Sequence, residues 1–163
     1  MPSEELIIAD SSPLIGLARI GQLELLPKLT KRIVVPTAVH AEVTLARADA
    51  PGAAEVAAQA WIEVQAADPT AIAPLLILVG RGEAEAIALA QQAPSAVLLV
   101  DDLRARKLTE RLGLRRMGTV ALLGQAKREG LIPNLKPALD ALVAHGIFIR
   151  QELLDAALKE AGE

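Results

Sequence analysis

Short, continuous apolar runs alternate along this chain with longer stretches in which apolar residues recur at helical spacing. Leu6-Ile7-Ile8-Ala9, Arg32-Ile33-Val34-Val35 and Ala96-Val97-Leu98-Leu99-Val100 read as strands buried on both faces. Trp61 to Gln65 alternates like an edge strand, and Leu114 to Met117 is a candidate short last strand. After the first strand, Ser12 is placed as an N-cap and Pro13 at the first position of a helix that runs to Ile20, where Gly21 stops it. Further helices are predicted over Gln22–Leu29, over Thr37–Arg47 with Val39, Val43 and Ala46 on one stripe, and over Ala53–Ala60. Gly80-Arg81-Gly82 reads as a loop before a helix from Glu83 to Gln92, and another helix runs from Leu103 to Leu112. Leu75 to Val79 fits helix and strand equally. Beyond Gly118 the pattern is helical throughout: Thr119–Glu129, Leu135–Ala144 and Gln151–Ala161. The apolar helices at Thr119–Gln125 and Leu135–Ala144 suit either a cover for the sheet or a contact with another chain. Strands alternating with helices predict an α/β fold with a mostly parallel sheet covered on both faces.

Composition narrows the picture. The chain has 163 residues, a length that suits one domain over 1–163. Hydrophobic residues make up 52% but aromatic ones only 1%, so the core is aliphatic. Trp61 and Phe148 alone supply no evident platform for stacking bases. Cysteine is absent, which excludes disulfides, thiolate metal sites and thiol nucleophiles. A formal net charge of −3 argues that any contact with nucleic acid is local. The first residues, Met1 to Glu5, carry acids where a leader peptide needs bases, and no apolar run approaches the ~20 residues that span a bilayer. The expectation is a cytoplasmic protein with no membrane contact.

The candidate chemistry lies in carboxylates. Asp10 ends the first strand and the pair Asp101-Asp102 ends the Ala96–Val100 strand, at the sheet edge where open α/β sheets bind ligands. Glu83 lies early in a helix and Glu42 about two helical turns after Pro36. If the two strands are neighbours, Asp10 and the acid pair come within reach of one cation. Clustered carboxylates need such a cation to stay ionised. An all-oxygen donor set favours Mg²⁺ or Mn²⁺, which can activate water for attack on a phosphodiester. Each acid also has a structural reading: Asp10 as a turn or cap residue, Asp102 as an N-cap with Asp101 then the better ligand, Glu42 as a solvated helix residue, and Glu83 and Glu85 as acids favoured in a first helical turn. Beside the pair, Arg104, Lys107 and Arg111 share one helical face, with Ala105, Leu108 and Leu112 on the buried side. That basic face suits a polyanion or is simply solvated. No phosphate-binding glycine loop of either common kind occurs, and neither Ser11 nor Ser12 has an identifiable base.

Asp10 with Ser12, Val35-Pro36-x-x-Val39-x-x-Glu42, Gly82-Glu83-Ala84-Glu85-Ala86-Ile87-Ala88-Leu89-Ala90 and Val100-Asp101-Asp102 occur in an order that resembles the PIN-domain family. The likeness covers residues 6 to 117, and the helical extension over 118–163 is similar to a branch of prokaryotic members called predicted nucleic-acid-binding proteins. The resemblance implies a Rossmann-like three-layer α/β/α domain and a Mg²⁺- or Mn²⁺-dependent ribonuclease acting on RNA. It also implies kinship with toxins of VapBC-type pairs, hence an antitoxin partner and a homodimer. Asp10, Glu42, Glu83 and Asp102 would hold the metal, with Asp101 a competitor for the last place and Ser12 supporting the first acid. The chain departs from the family pattern in two places: Glu83 stands where an Asp is usual, and Val100 where Thr or Ser is common. A non-catalytic binding module of the same fold is the competing reading. A phospho-acceptor receiver is disfavoured, because the acid pair follows a late strand.

Overall fold

A computed structural model describes residues 3–163, with side chains from Glu5 onward, so the reading of the first four residues falls largely outside it. Five strands form one sheet, β1 (Ser3–Ala9), β2 (Thr30–Pro36), β3 (Ile62–Gln65), β4 (Ala96–Leu99) and β5 (Arg115–Met117), in the order β3-β2-β1-β4-β5. Every pairing is parallel. The helices are α1 (Ser11–Arg19), α2 (Leu25–Leu29), α3 (Thr37–Ala41), α4 (Ala53–Ala57), α5 (Pro69–Ile72), α6 (Arg81–Gln91), α7 (Leu103–Arg111), α8 (Thr119–Arg128), α9 (Lys136–Ala144) and α10 (Gln151–Glu160). The expected three-layer α/β/α arrangement is borne out, and Ile62–Gln65 is an edge strand as its alternation implied.

Strand geometry sends successive side chains to opposite faces. Ile7, Ala9, Ile33, Val35 and Leu99 therefore join one core with residues of α1, α2, α8 and α9. Leu6, Ile8, Val34, Leu98 and Val100 join a second core with α6, α7 and Ile72 of α5. Aliphatic strands buried on both sides explain why their sequences read as unbroken apolar runs. Leu122, Leu123, Leu139 and Leu142 lie in the first core, so α8 and α9 cover the sheet.

Several expected boundaries shift for identifiable reasons. The first helix starts at Ser11, with Asp10 and not Ser12 at its N-cap position. The Asp10 N–H donates to the Leu99 carbonyl at 3.0 Å, which carries strand pairing up to the helix without an intervening turn. Gly80 is the N-cap of α6, so Gly82 belongs to the first turn and not to a loop. Without a side chain it lies against Val39, which a Cβ would approach to 3.1 Å. Leu75–Ile77 is a 3₁₀ turn. Leu112 lies past the end of α7 and is 39% exposed, so only Ala105 and Leu108 face inward as expected. The predicted helix over Thr37–Arg47 is α3 followed by a π-helical turn over Glu42–Ala46.

Leu122 tests whether the C-terminal helices share the core of the sheet. Leu122→Ala is expected to lower the unfolding free energy by about 2–5 kcal/mol in urea titrations, the usual cost of emptying a fully buried leucine site. A loss below about 1 kcal/mol would place α8 outside that core.

Candidate active site

Strand order decides where the carboxylates meet. The chain order reverses between β1 and β4, which pair in register with Ala9 opposite Leu99. Asp10 and the Asp101-Asp102 pair therefore leave the carboxyl ends of adjacent strands, at the crevice where such sheets bind ligands. The turn that follows α3 and the first turn of α6 bring Glu42 and Glu83 to the groove that Asp10 lines.

Asp10 is the centre of the cluster, only 4% exposed. Its carboxylate makes no capping hydrogen bond. Burial pushes its carboxyl from the ordinary 3.8 up to about 7. The Ser11 N–H pulls in the opposite direction, and the negative charges of Glu83, Glu42 and Asp102 add to the rise. Every side-chain charge that shifts Asp10 is negative. Glu42 opens the π-helical turn, a local widening that often occurs at functional positions. Its Oε2 accepts a 2.9 Å hydrogen bond from Ser11 Oγ. Asp10, Glu42 and Glu83 line one groove of about 600 Å³, and Glu83 and Asp102 line an adjoining one with Arg104.

The remaining acids divide by their partners. Asp102 accepts from Ala105 N at 3.0 Å through Oδ2 alone, capping α7 while keeping its other oxygen outside that bond. Asp101 uses both oxygens on Thr119, from N at 2.9 Å and from Oγ1 at 2.5 Å, and so holds the start of α8. Glu85 is buried and accepts from Ala38 N at 3.1 Å and Arg81 Nε at 3.0 Å, tying α6 to α3. Of each neighbouring pair, one acid is committed to the scaffold. Ser12 is exposed at the mouth of the groove, and it is Ser11, buried one residue earlier, that touches an acid. Sequence reading missed Ser11. Its place next to Asp10 in the first turn is the only signal that pointed to it.

Whether these residues suit a divalent cation rests on the donor set and on Gly82. The donors are all hard oxygens, the side-chain charges that act on Asp10 are negative, and Arg81 in the same groove is paired with Glu85. A Cβ on Gly82 would lie 3.6 Å from both Asp10 Oδ1 and Glu42 Oε2, so the missing side chain leaves space on which the two carboxylates converge. Among the described residues, however, no three acidic or histidine side chains stand close enough together to hold an ion. The Glu83 Oε2 lies 2.8 Å from where a Cβ of Gly80 would be. The fit is one of chemistry and placement, and Glu83 must swing from Gly80 toward Asp10 to complete it.

The basic face of α7 is exposed as expected. Among the described residues Arg104, Lys107 and Arg111 form no ion pair, whereas Arg115 pairs with Glu5 and Arg116 with Glu110. No helix among the described residues is long and apolar enough to cross a membrane. A family profile described as PIN domain matches residues 6–163. No curated protein and no solved structure matches the chain.

Two outcomes follow from the roles of these acids. Without divalent metal, Asp10 holds its proton in the folded state well above the 3.8 at which it ionises when unfolded. Its contribution to stability is thus complete below about pH 4 and is lost as the pH rises toward about 7. Asp10→Asn should remove that component, so the stability difference between variant and wild type grows in the variant's favour from pH 4 to 8 in paired denaturation curves. A constant difference would mean that Asp10 ionises normally. Asp101→Ala strands the buried Thr119 N–H and should cost about 1–3 kcal/mol in the same measurement.

Proposed function

The chain belongs to the PIN-domain family, and on that premise we propose that it is an endoribonuclease that hydrolyses RNA phosphodiesters with Mg²⁺ or Mn²⁺. PIN domains are generally nucleases and typically use divalent metals. The observation that carries the reading is buried Asp10 at the β1/β4 edge, with Glu42 and Glu83 lining the same groove and Asp102 following the neighbouring strand.

In this reading Asp10, Glu42, Glu83 and Asp102 hold the metal. When bound, it lowers the pKa of water and neutralises charge building on the phosphate. Asp10 provides the anchor, because two strands and a helix start fix its position. Ser11 holds Glu42 by its Oε2, and the Ala105 N–H holds Asp102 by its Oδ2, so each carboxylate keeps its second oxygen for the ion. In this reading Asp101 positions α8 and Asp102 takes the place at the metal, which is supported by Asp101 having both oxygens on Thr119. Arg104 lines the groove with Glu83 and Asp102, and Lys107 and Arg111 continue the exposed basic face along α7 toward flanking phosphates. The negative overall charge is compatible with this because the positive charge is local.

A toxin role adds a protein that covers the same edge, and Leu45, Ile77 and Leu103 are exposed around it. A homodimer or an antitoxin contact belongs to that extension of the reading. A non-catalytic binding module is favoured only by the open spacing of the acids.

The test is RNA cleavage with Mn²⁺ titration, followed in parallel by calorimetry. Wild type should cleave and bind the ion, EDTA should abolish cleavage, and Asp10→Asn should reduce both by at least about 100-fold, as expected for loss of a group that acts at the reacting centre. Cation binding without cleavage of any RNA would favour the binding module. Absence of cation binding would remove the hydrolytic reading.

A further inference from the structure

We propose that Phe148, with Arg106 and Arg150, forms a nucleotide subsite in which a base of single-stranded RNA stacks beside the acidic edge. The inference rests on the ribonuclease reading for its substrate class, but it concerns residues that this reading does not use.

Phe148 is the sole phenylalanine of the chain and is 86% exposed, more than any other large hydrophobic side chain among the described residues. It lies in the extended link between α9 and α10. Along this link exposure alternates: Ile147 and Ile149 are half-buried against the first core, whereas Phe148 and Arg150 are exposed. Two features anchor the link. The Ile147 N–H donates to Leu142 O at 3.1 Å, and the Ile147 Cδ1 packs where a Cβ on Gly16 of α1 would come within 3.2 Å. Since α1 begins at Asp10, the helix that starts at the acidic centre is also the one against which this link is seated.

Phe148, Arg106, Arg150, Ser12 and the pair Asp101-Asp102 line one cavity of about 640 Å³, in which both Asp101 oxygens are already engaged by Thr119. Asp102 is shared between this cavity and the groove that contains Glu83, so the cavity adjoins the acidic edge on its far side. Among the described residues neither Arg106 nor Arg150 is engaged in an ion pair. An exposed ring that shares a cavity with two arginines, next to carboxylates read as the reacting centre, has the chemistry to take a base and its phosphates. A protein partner would also cover an exposed Phe. The two unpaired arginines favour the polyanion. With aromatic residues at 1% of the chain, the expectation that Phe148 supplies no stacking surface followed from composition alone, and its location changes that reading.

The test measures binding separately from cleavage. A fluorescently labelled oligouridylate, and an abasic oligonucleotide of the same length, are titrated in EDTA into wild type, Phe148→Ala and Phe148→Trp. Phe148→Ala should weaken oligouridylate binding about 10-fold and leave abasic binding unchanged, and Phe148→Trp should restore it with quenched indole fluorescence on binding. The double change Arg106→Ala with Arg150→Ala should weaken both ligands alike and flatten the salt dependence. Equal binding of oligouridylate by wild type and Phe148→Ala overturns the inference. So does a Phe148→Ala protein that binds RNA normally but no longer self-associates in sedimentation, which would make this face a protein contact. Phe148-dependent binding without any metal-dependent cleavage sinks the nuclease reading and leaves the subsite standing. Cleavage by wild type with Phe148-independent binding does the reverse.

Discussion

The site depends on the parallel pairing of β1 with β4 at the centre of the sheet. Register puts Ala9 opposite Leu99, and the Asp10 N–H continues the ladder by one more bond to the Leu99 carbonyl. Because the strands run in parallel, both chains emerge at the same end, and because the chain order reverses there, the connections leave in opposite directions. A crevice opens between them. Its walls are the first turns of helices, and its floor is a buried carboxylate held in place by main chain.

Placing that carboxylate there carries a cost in the metal-free protein. Asp10 is desolvated and feels the negative charges of Glu83, Glu42 and Asp102, so folding favours its protonated form. The surrounding acids limit the strain by a division of roles. Glu85 and Asp101 each satisfy backbone N–H groups at a helix start, while Glu83 and Asp102, two residues before the first and one after the second, are turned to the crevice region with fewer protein partners. Neighbouring residues of the same type thus differ in how many of their oxygens the frame engages.

The C-terminal helices are part of this frame. α8 starts from Asp101, packs Leu122 and Leu123 under the sheet and leads to α9, whose Leu139 and Leu142 complete the same core. The chain end is tied back as well: the Glu163 side chain accepts from Lys127 Nζ at 2.7 Å and from the Leu135 and Lys136 N–H groups at 2.6 and 3.1 Å. The Lys127 ammonium and these backbone donors hold its carboxyl down at about 2. This fixes α10 near α8, so the link that carries Phe148 is held at both ends.

Much of this was legible in the order of residues. Aliphatic runs rich in Val and Ile read as strands buried on both faces, though Leu75–Val79 shows that such a run alone does not decide, and runs that end in Asp10 and Asp101-Asp102 put carboxylates at strand ends whatever the topology. What periodicity could not supply was adjacency. Strand order is set by how the helices pack over the sheet, and only this packing made β1 and β4 neighbours and turned separate acids into a cluster. Nor could sequence assign roles within a pair. Asp101 and Asp102 are chemically identical, and the difference lies in which one meets Thr119 and which meets Ala105. The π-helical turn at Glu42, the reach of Ser11 to it and the seating of Phe148 beside the acids likewise depend on contacts between residues far apart in the chain. Local pattern determined the elements and the kind of chemistry; long-range packing decided which atoms face one another, because spacing along a chain says nothing about distance across a core.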